Sequence, residues 1–592
     1  MNLNLGPNYE QVTNWILNQT HAALYFTILS ILLTGILIIL IFVSQRFKYS
    51  RILFIICSIA TIFIFRGLSL YADSYNPDEG QHLANAIALS HDGRFWVATD
   101  TTTFGPVSAV IILIAHKIIS IFFPSFGITY FLLRLINIII ISISFVLLLK
   151  IFEARLFRKT AWIISLFYVI FFCFYWNSYL LSFNSEYTYI LFISISLYAI
   201  YEFQNKNNIF QLVTAGFALG IMPFIKLQTL PMCFVLAIWC FYEILKNEYI
   251  SLGKRKVRKH YAFLVYIGMA ALPTIFLFIY CLTYTNGIKN AFFYYILNAK
   301  SHLGKHTLNQ YVDFFITKLF PWLFSHIWFS RISIISLLAF IVSFALILTK
   351  KVKIKACSNW IFSFMLLLFS VEAVTQPMRL FRHYIIFLVV PAIVFYMETV
   401  VLLAAVEYKR IMLPKLYIPK AMKHAFRKDN VITFCLVILT FVLFANYPKN
   451  VLRETVLSDK RIIGYENTYL TQASQYIVEH TVSDDYIVVW GWEQRVLVFA
   501  NRKSGTAQTD IQRLYPPYSP INIDMYISDI KKNKPKLIID VVAPESSIYS
   551  NKDIYGLENH IQVWPAICND YTMTDTLPAP DGSTYRVYTR NL

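Results

Sequence analysis

The sequence predicts an α-helical polytopic membrane protein that ends in a soluble α/β domain. Three observations carry this. Of 592 residues, 57% are hydrophobic and 14% charged, against about 25% charged in soluble domains. Apolar runs of about 18 or more residues, long enough to cross a ~30 Å hydrocarbon core, recur as far as Tyr447. Beyond Tyr447 the chain is polar and no such run returns.

Mean hydropathy is +0.55 and the formal net charge is +19. In a membrane chain this excess reads as basic cytoplasmic loops, not as a nucleic-acid surface. The eight cysteines show no CxxC and no paired spacing, so neither a zinc site nor a disulfide framework is expected.

The first span is expected near Leu24 to Val43, followed by Arg46, Lys48 and Arg51. No Lys or Arg precedes it, so it reads as an anchor and not a cleaved signal peptide. A second span, about Ile52 to Leu70, returns to the outer side. The polar stretch Tyr71 to Thr103 is then an outer loop. The apolar segment Pro106 to Phe123 either crosses or lies along the interface. If it crosses, the basic clusters at Arg155–Lys159, Lys254–Lys259, Lys350–Lys355 and Lys409–Lys428 all face outward. If it lies flat, all of them face the cytoplasm, which the positive-inside rule favours. Further spans are expected near 127–149, 160–176, 187–203, 209–224, 227–245, 261–284, 332–349, 358–375, 385–403 and 431–447. This makes about twelve crossings. The segment Asn286 to Ser330 reads as a long outer loop holding Phe292 to Tyr295, Lys300 and Lys305.

Two domains follow: a transmembrane module over 1–447, with an outer loop at 71–126 that carries juxtamembrane helices, and an outer α/β domain over 448–592. In the tail, helices are expected at Glu466–His480 and Asn522–Lys532. Strands are expected at Tyr486–Trp490, Leu537–Val542 and Thr584–Thr589. The tail has no GxGxxG and no GxxxxGK, which argues against a nucleotide site.

On this path the unusual ionisable residues gather at the outer face. The first loop reads Asn76-Pro77-Asp78-Glu79-Gly80-Gln81-His82. As local structure alone it is a helix start, with Asn76 as N-cap, Pro77 in the first turn and Glu79 as capping-box partner. Asp92-Gly93 would stop the helix. As chemistry, Asp78 is a carboxylate able to take a proton from a hydroxyl nucleophile, with Glu79 beside it. His82, one turn on, faces the same way, so Asp78 and His82 are a tentative pair of metal ligands. Glu186 lies in a short outer turn between two spans. Lys226, Arg379, Arg382 and His383 also fall on the outer side. There they either snorkel toward headgroups or bind a lipid phosphate. A carboxylate base beside a cationic clamp suits transfer of a sugar from a lipid phosphate, because a neutralised phosphate leaves without a general acid.

Pro77-Asp78-Glu79-Gly80, with Leu83-Ala84 and Gly93 after it, resembles the first outer-loop motif of the GT-C glycosyltransferases. The closest look is to glycosyltransferase family 39, the protein mannosyltransferases and aminoarabinose transferase relatives. Arg382-His383-Tyr384 with Pro391 is similar to that family's late helix, and Trp490-Gly491-Trp492-Glu493 with Ser504-Gly505 to a pattern in its bacterial C-terminal domains. The resemblance covers most of the chain. It implies a polyprenyl-phosphate sugar donor, inversion at the sugar, Asp78 as catalytic base and Glu186 as a second acidic residue. Aminoarabinose-transferase relatives carry a Lys before a Pro-Pro pair near the second juxtamembrane helix. Here that place reads Phe104-Gly105-Pro106, which leaves Lys226 or Arg379 to supply the cation. The span before the motif loop's own span is also extra to the family's plan.

The expected function is therefore that of a polyprenyl-phosphate-sugar-dependent glycosyltransferase of a bacterial inner membrane, with its site and C-terminal domain on the periplasmic or extracellular side. The partners implied are a lipid-linked sugar donor, membrane lipids, and a cell-envelope glycan, lipid or protein acceptor. Two alternatives stay open: a glycan ligase with a lipid-pyrophosphate donor, and a transporter or flippase. One-sided charge clustering argues against the latter.

Overall fold

A computed structural model describes residues 22–43, 48–71, 77–100, 104–174, 178–303, 307–325, 357–405, 468–544, 546 and 549–591, with a few positions between 340 and 348. The helices that build the site are α1 (Ala22–Val43), α2 (Ser50–Gly67), α3 (Pro77–His91), α4 (Pro106–Phe122), α5 (Tyr130–Arg155), α6 (Arg158–Phe174), α7 (Ser185–Lys206), α8 (Ile209–Ile221), α9 (Leu230–Leu245), α10 (Lys259–Leu282), α11 (Ser358–Thr375) and α12 (Ile386–Ala405).

Among the described residues, six helices are long and apolar enough to cross a membrane: Ser50–Gly67, Tyr130–Arg155, Leu227–Leu245, Lys259–Leu282, Ser358–Thr375 and Arg382–Leu403. The spans expected near 24–43, 160–176, 187–203 and 209–224 are also helical, as α1, α6, α7 and α8. They fall short of that mark for local reasons: α6 has 17 residues and α8 has 13, and α7 carries Glu186, Glu202 and several Ser and Tyr. The described part of α1 offers the apolar stretch Leu32–Phe42. The expected span at 431–447 and nearly all of 332–349 lie outside the described residues, as does the domain boundary at 447.

The bundle core is α5, α6, α7 and α12, whose Ile, Leu, Phe and Val side chains are almost wholly buried. Lys259–Leu282 is the opposite case, with 11% of its apolar window buried. It packs closely on α8. Gly216 and Gly220 lie against the backbone carbonyls of Tyr266 and Ala270, and a Cβ on Gly220 would sit 2.1 Å from the Ala270 oxygen. Small residues allow such close helix approach in lipid.

Two expectations are corrected. The basic cluster Lys254–Lys259 is not a plain loop: Tyr249–Leu252 (β1) and Arg255–Arg258 (β2) form an antiparallel hairpin that leads into α10. The segment from Asn286 is not a loop either. It winds through helical pieces at Gly287–Ala291, Phe292–Leu297, Asn298–Leu303, Leu308–Phe314, Phe315–Leu319 and Phe320–Ser325. Two of these are π-type turns. Aromatic residues in succession (Phe292 to Tyr295) bury Phe293, Tyr294 and Tyr295 against the outer loop, which a helical pitch achieves and a loop does not.

The tail is the expected α/β unit. Strands β3 (Tyr486–Trp490), β4 (Lys503–Ser504), β5 (Leu537–Asp540), β6 (Tyr571–Pro578) and β7 (Thr584–Arg590) form one sheet in the order β4-β3-β5-β7-β6. β3 pairs in parallel with β4 and β5, while β7 runs antiparallel to β5 and β6. Helices α13 (Thr468–His480), α14 (Arg495–Ala500) and α15 (Ile521–Asn533) complete it. β4 and β6 escape the sequence, since β4 has two residues and β6 exposes most of its side chains.

On α15, Asp529 accepts the Ala507 N–H at 2.9 Å, and burial pushes its pKa up to about 7. The folded chain therefore holds a proton that the unfolded chain releases near pH 4. Stability falls as pH rises through this window, by on the order of 3 kcal/mol. Thermal unfolding of Asp529→Asn is expected to lose most of the pH 5 to pH 8 difference seen in the parent. An unchanged difference would reject this assignment.

Candidate active site at the start of helix α3

Helix α3 begins at Pro77, whose missing N–H suits a first turn. The expected N-cap Asn76 lies outside the described residues. Asp78 and Glu79 share the first turn, where the helix dipole favours carboxylates, yet their surroundings differ completely.

Glu79 is fully buried. It forms a two-pronged ion pair with Arg134 of α5, with Nε 2.9 Å from Oε1 and Nη2 2.8 Å from Oε2. The Phe183 N–H donates to the same Oε1 at 3.1 Å, and Arg134 Nη1 donates to the Ser69 carbonyl at 2.6 Å. The expected capping partner of Glu79, Asn76, lies outside the described residues. A carboxylate this buried needs a full countercharge, and α5 supplies it. Glu79 ties α3 to α5 and to the turn before α7.

Asp78 is partly exposed and makes no hydrogen bond or ion pair among the described residues. Burial raises its pKa; the charges of His383 and Lys226 pull it down, and that of Glu186 pushes it up. These three groups form one tight cluster beside it. Glu186, 1% exposed in the first turn of α7, accepts from Lys226 Nζ at 2.7 Å and lies 3.8 Å from His383 Nε2. Ser185 Oγ donates to its other oxygen at 3.3 Å. Lys226 Nζ also stands 4.5 Å from the centre of the Tyr384 ring, a cation–π contact strengthened by burial.

The turn carrying Lys226 is held by the outer loop. The Gly105 N–H donates to the Ile225 carbonyl at 2.8 Å, and Tyr295 donates to the Pro223 carbonyl. A Cβ on Gly105 would lie 1.9 Å from the Phe224 oxygen. Gly105→Ala is therefore expected to force the two segments apart, with a stability loss of about 1–3 kcal/mol visible as a lower Tm. A variant with the parental Tm would show that the contact is not tight.

Arg379 and Arg382 stand apart from this cluster. Both are exposed and have no carboxylate partner among the described residues. Arg379 follows Met378, whose φ of 48° is the left-handed conformation, uncommon outside glycine and found at functional turns. Tyr518 of the C-terminal domain senses the charges of Arg379 and Arg513, so that domain reaches over this side of the cluster.

His82 is buried among aromatic rings. Its ring stacks on Phe104 at 3.9 Å and meets Phe183 edge-on at 5.1 Å. Burial brings its pKa down to about 3. Among the described residues no group of three His, Cys, Asp or Glu gathers.

The C-terminal domain is stapled to the same loop. Gln81 Nε2 donates to Asp510 Oδ2 at 2.8 Å, Arg513 Nη1 to Asp100 Oδ2 at 2.6 Å, and the Asp100 N–H to the Ala507 carbonyl at 3.0 Å. All four side chains are buried. The sequence reading missed these partners, and it missed Arg134. A lone arginine near the start of an apolar run was the available signal, since such a residue needs a buried countercharge.

Neither a protein-family model nor a curated protein sequence matches the chain. Solved structures do. ArnT from Cupriavidus metallidurans, bound to undecaprenyl phosphate, superposes with a TM-score of 0.52 at 9% identity, covering 92% of this chain and 98% of that one. The chain has the GT-C fold. The Archaeoglobus fulgidus oligosaccharyltransferase in complex with Zn and sulfate is also similar, at TM-score 0.45 and 13% identity over 90% of this chain and 72% of its own. Within the GT-C fold, Asp78, Glu186, Lys226 and His383 are the sequence-expected residues that come together. Arg379 and Arg382 are exposed outside this cluster, and Glu79 and His82 are buried.

Proposed function

We propose that this protein is a membrane glycosyltransferase that moves a sugar from a polyprenyl-phosphate donor to an acceptor hydroxyl on the outer face of a bacterial inner membrane. One arrangement carries this reading: a carboxylate, Asp78, that has no partner among the described residues, beside a buried Glu186–Lys226–His383 cluster, and two exposed arginines that have no carboxylate partner among the described residues. Undecaprenyl phosphate bound to ArnT, which has the same fold, supports the donor class.

In the reaction, Asp78 accepts the proton of the acceptor hydroxyl as its oxygen attacks the anomeric carbon. The bond from that carbon to the phosphate oxygen breaks, and polyprenyl phosphate leaves with the electron pair. Attack from the face opposite the phosphate inverts the centre. Arg379 and Arg382 neutralise the leaving phosphate, in place of a general acid. Lys226, held by Glu186, sets a positive charge beside Asp78. That favours the ionised base, against the burial that opposes it. Glu79 acts through Arg134 as a positioning residue.

The test is a panel of polyprenyl-phosphate sugars offered to the purified protein, with release of polyprenyl phosphate followed by mass spectrometry. Release that is lost in Asp78→Asn, and that needs a higher donor concentration in Arg382→Ala, is expected. A folded protein that releases no carrier from any donor overturns the proposal.

A further inference from the structure

At the far end of α5 from Arg134, roughly 25–30 Å along the helix, a cavity of about 600 Å³ opens between helix ends. Its polar wall is Arg51 of α2, Lys150 and Glu153 of α5, Arg158 of α6 and Glu202 of α7, and Leu156 and Phe157 add an apolar shoulder. Both carboxylates are already matched. Glu153 pairs with Arg51 at 2.8 Å and accepts the Trp162 indole N–H at 2.8 Å, and Glu202 pairs with Lys206. Among the described residues, Lys150 touches only the Tyr198 ring, at 5.4 Å. The wall carries three cations, Arg51, Lys150 and Arg158, against two carboxylates.

Local helix stability does not explain these cations. Arg51 is the second residue of α2, and Arg158 and Lys159 open α6. The positive end of the helix dipole disfavours cations at such positions and favours an anion. The same two helices expose apolar side chains: Ile52 and Ile56 on α2 are each 56% exposed, and Ile139 and Ile143 on α5 are 42% and 44% exposed. Ile143 and Lys150 are seven residues apart and so share a helix face. An anionic head in the cavity would lay its hydrocarbon tail on these apolar side chains.

We infer that this cavity is a binding site for the phosphate headgroup of an anionic phospholipid, separate from the Asp78 site. The chemistry recognised is a phosphate monoanion or diester, and the exposed apolar side chains assign it to a lipid in preference to free phosphate.

The full chain is reconstituted in nanodiscs of phosphatidylglycerol and phosphatidylcholine, released into detergent, and its retained lipid counted by native mass spectrometry. The parent is expected to keep phosphatidylglycerol selectively. Arg51→Ala with Arg158→Ala is expected to weaken retention about fivefold per cation removed, and Lys150→Glu by more, because it reverses the charge. Lys150 is exposed, so its variant tests the site without disturbing the fold. Equal retention of both lipids, or full retention in Lys150→Glu, overturns the inference. Displacement of the lipid by millimolar inorganic phosphate assigns the site to a free anion and overturns the lipid assignment. No sugar donor enters this measurement, and Asp78→Asn is expected to retain the lipid like the parent, so the result stands apart from the catalytic reading.

Discussion

Asp78→Asn is expected to lower sugar transfer by about 10²–10⁴-fold, the contribution of a positioned general base, while donor KM changes little. The side chain keeps its size and its place in the first turn of α3 but can no longer take a proton. The loss should fall on kcat, because no protein group depends on Asp78 for a hydrogen bond or ion pair among the described residues. The pH profile gives an independent check. Burial lifts the Asp78 pKa above the ordinary carboxylate value, and the base must be ionised to act. Activity should therefore fall as pH drops, with its acid limb centred above about 4. Glu186 loses its near countercharge in Lys226→Met, which also removes a cation acting on Asp78, and the limb should then move to still higher pH. Full activity in Asp78→Asn would remove Asp78 from the chemistry.

The second large effect concerns stability. Glu79→Gln and Arg134→Met, made singly, are each expected to cost about 3–5 kcal/mol, because each leaves one charge of a buried pair without compensation. Both side chains are at most 1% exposed. The double variant Glu79→Leu with Arg134→Met should recover much of that loss, since replacing both charges by apolar groups removes the desolvation cost as well. Tm of the purified chain reports this directly. Singles that melt like the parent would show that the pair is solvated in the folded protein. If the double variant folds but transfers sugar slowly, the pair's contribution is the placement of α3 and not stability alone.

The C-terminal domain is more than an appendage to this site. Asp510 holds Gln81 on the helix that carries Asp78, and Arg513 holds Asp100 at the end of the same loop. These are buried polar contacts between segments more than 400 residues apart. A partly satisfied network of this kind is costly, so the domain and the loop set each other's geometry.

The helical membrane module, the polar tail and the helix from Pro77 to His91 were determined by the sequence itself. Their causes are local: apolar length, a proline at a first turn, alternation in short strands. The same holds for the list of outer-side ionisable residues, because a charge beside an apolar run declares itself in any chain. What those charges do was decided only by tertiary structure. Asp78 and Glu79 are neighbours in sequence with the same charge, yet Glu79 meets Arg134 from α5 and becomes part of a wall, while Asp78 faces Glu186, Lys226 and His383 from three other segments and has no ion-pair partner among the described residues. His82 became an aromatic-stacked ring because Phe104 and Phe183 close on it. The aromatic run after Asn286 became helical because it had a surface to bury against. Burial and countercharge depend on which segments meet, and no local pattern encodes that.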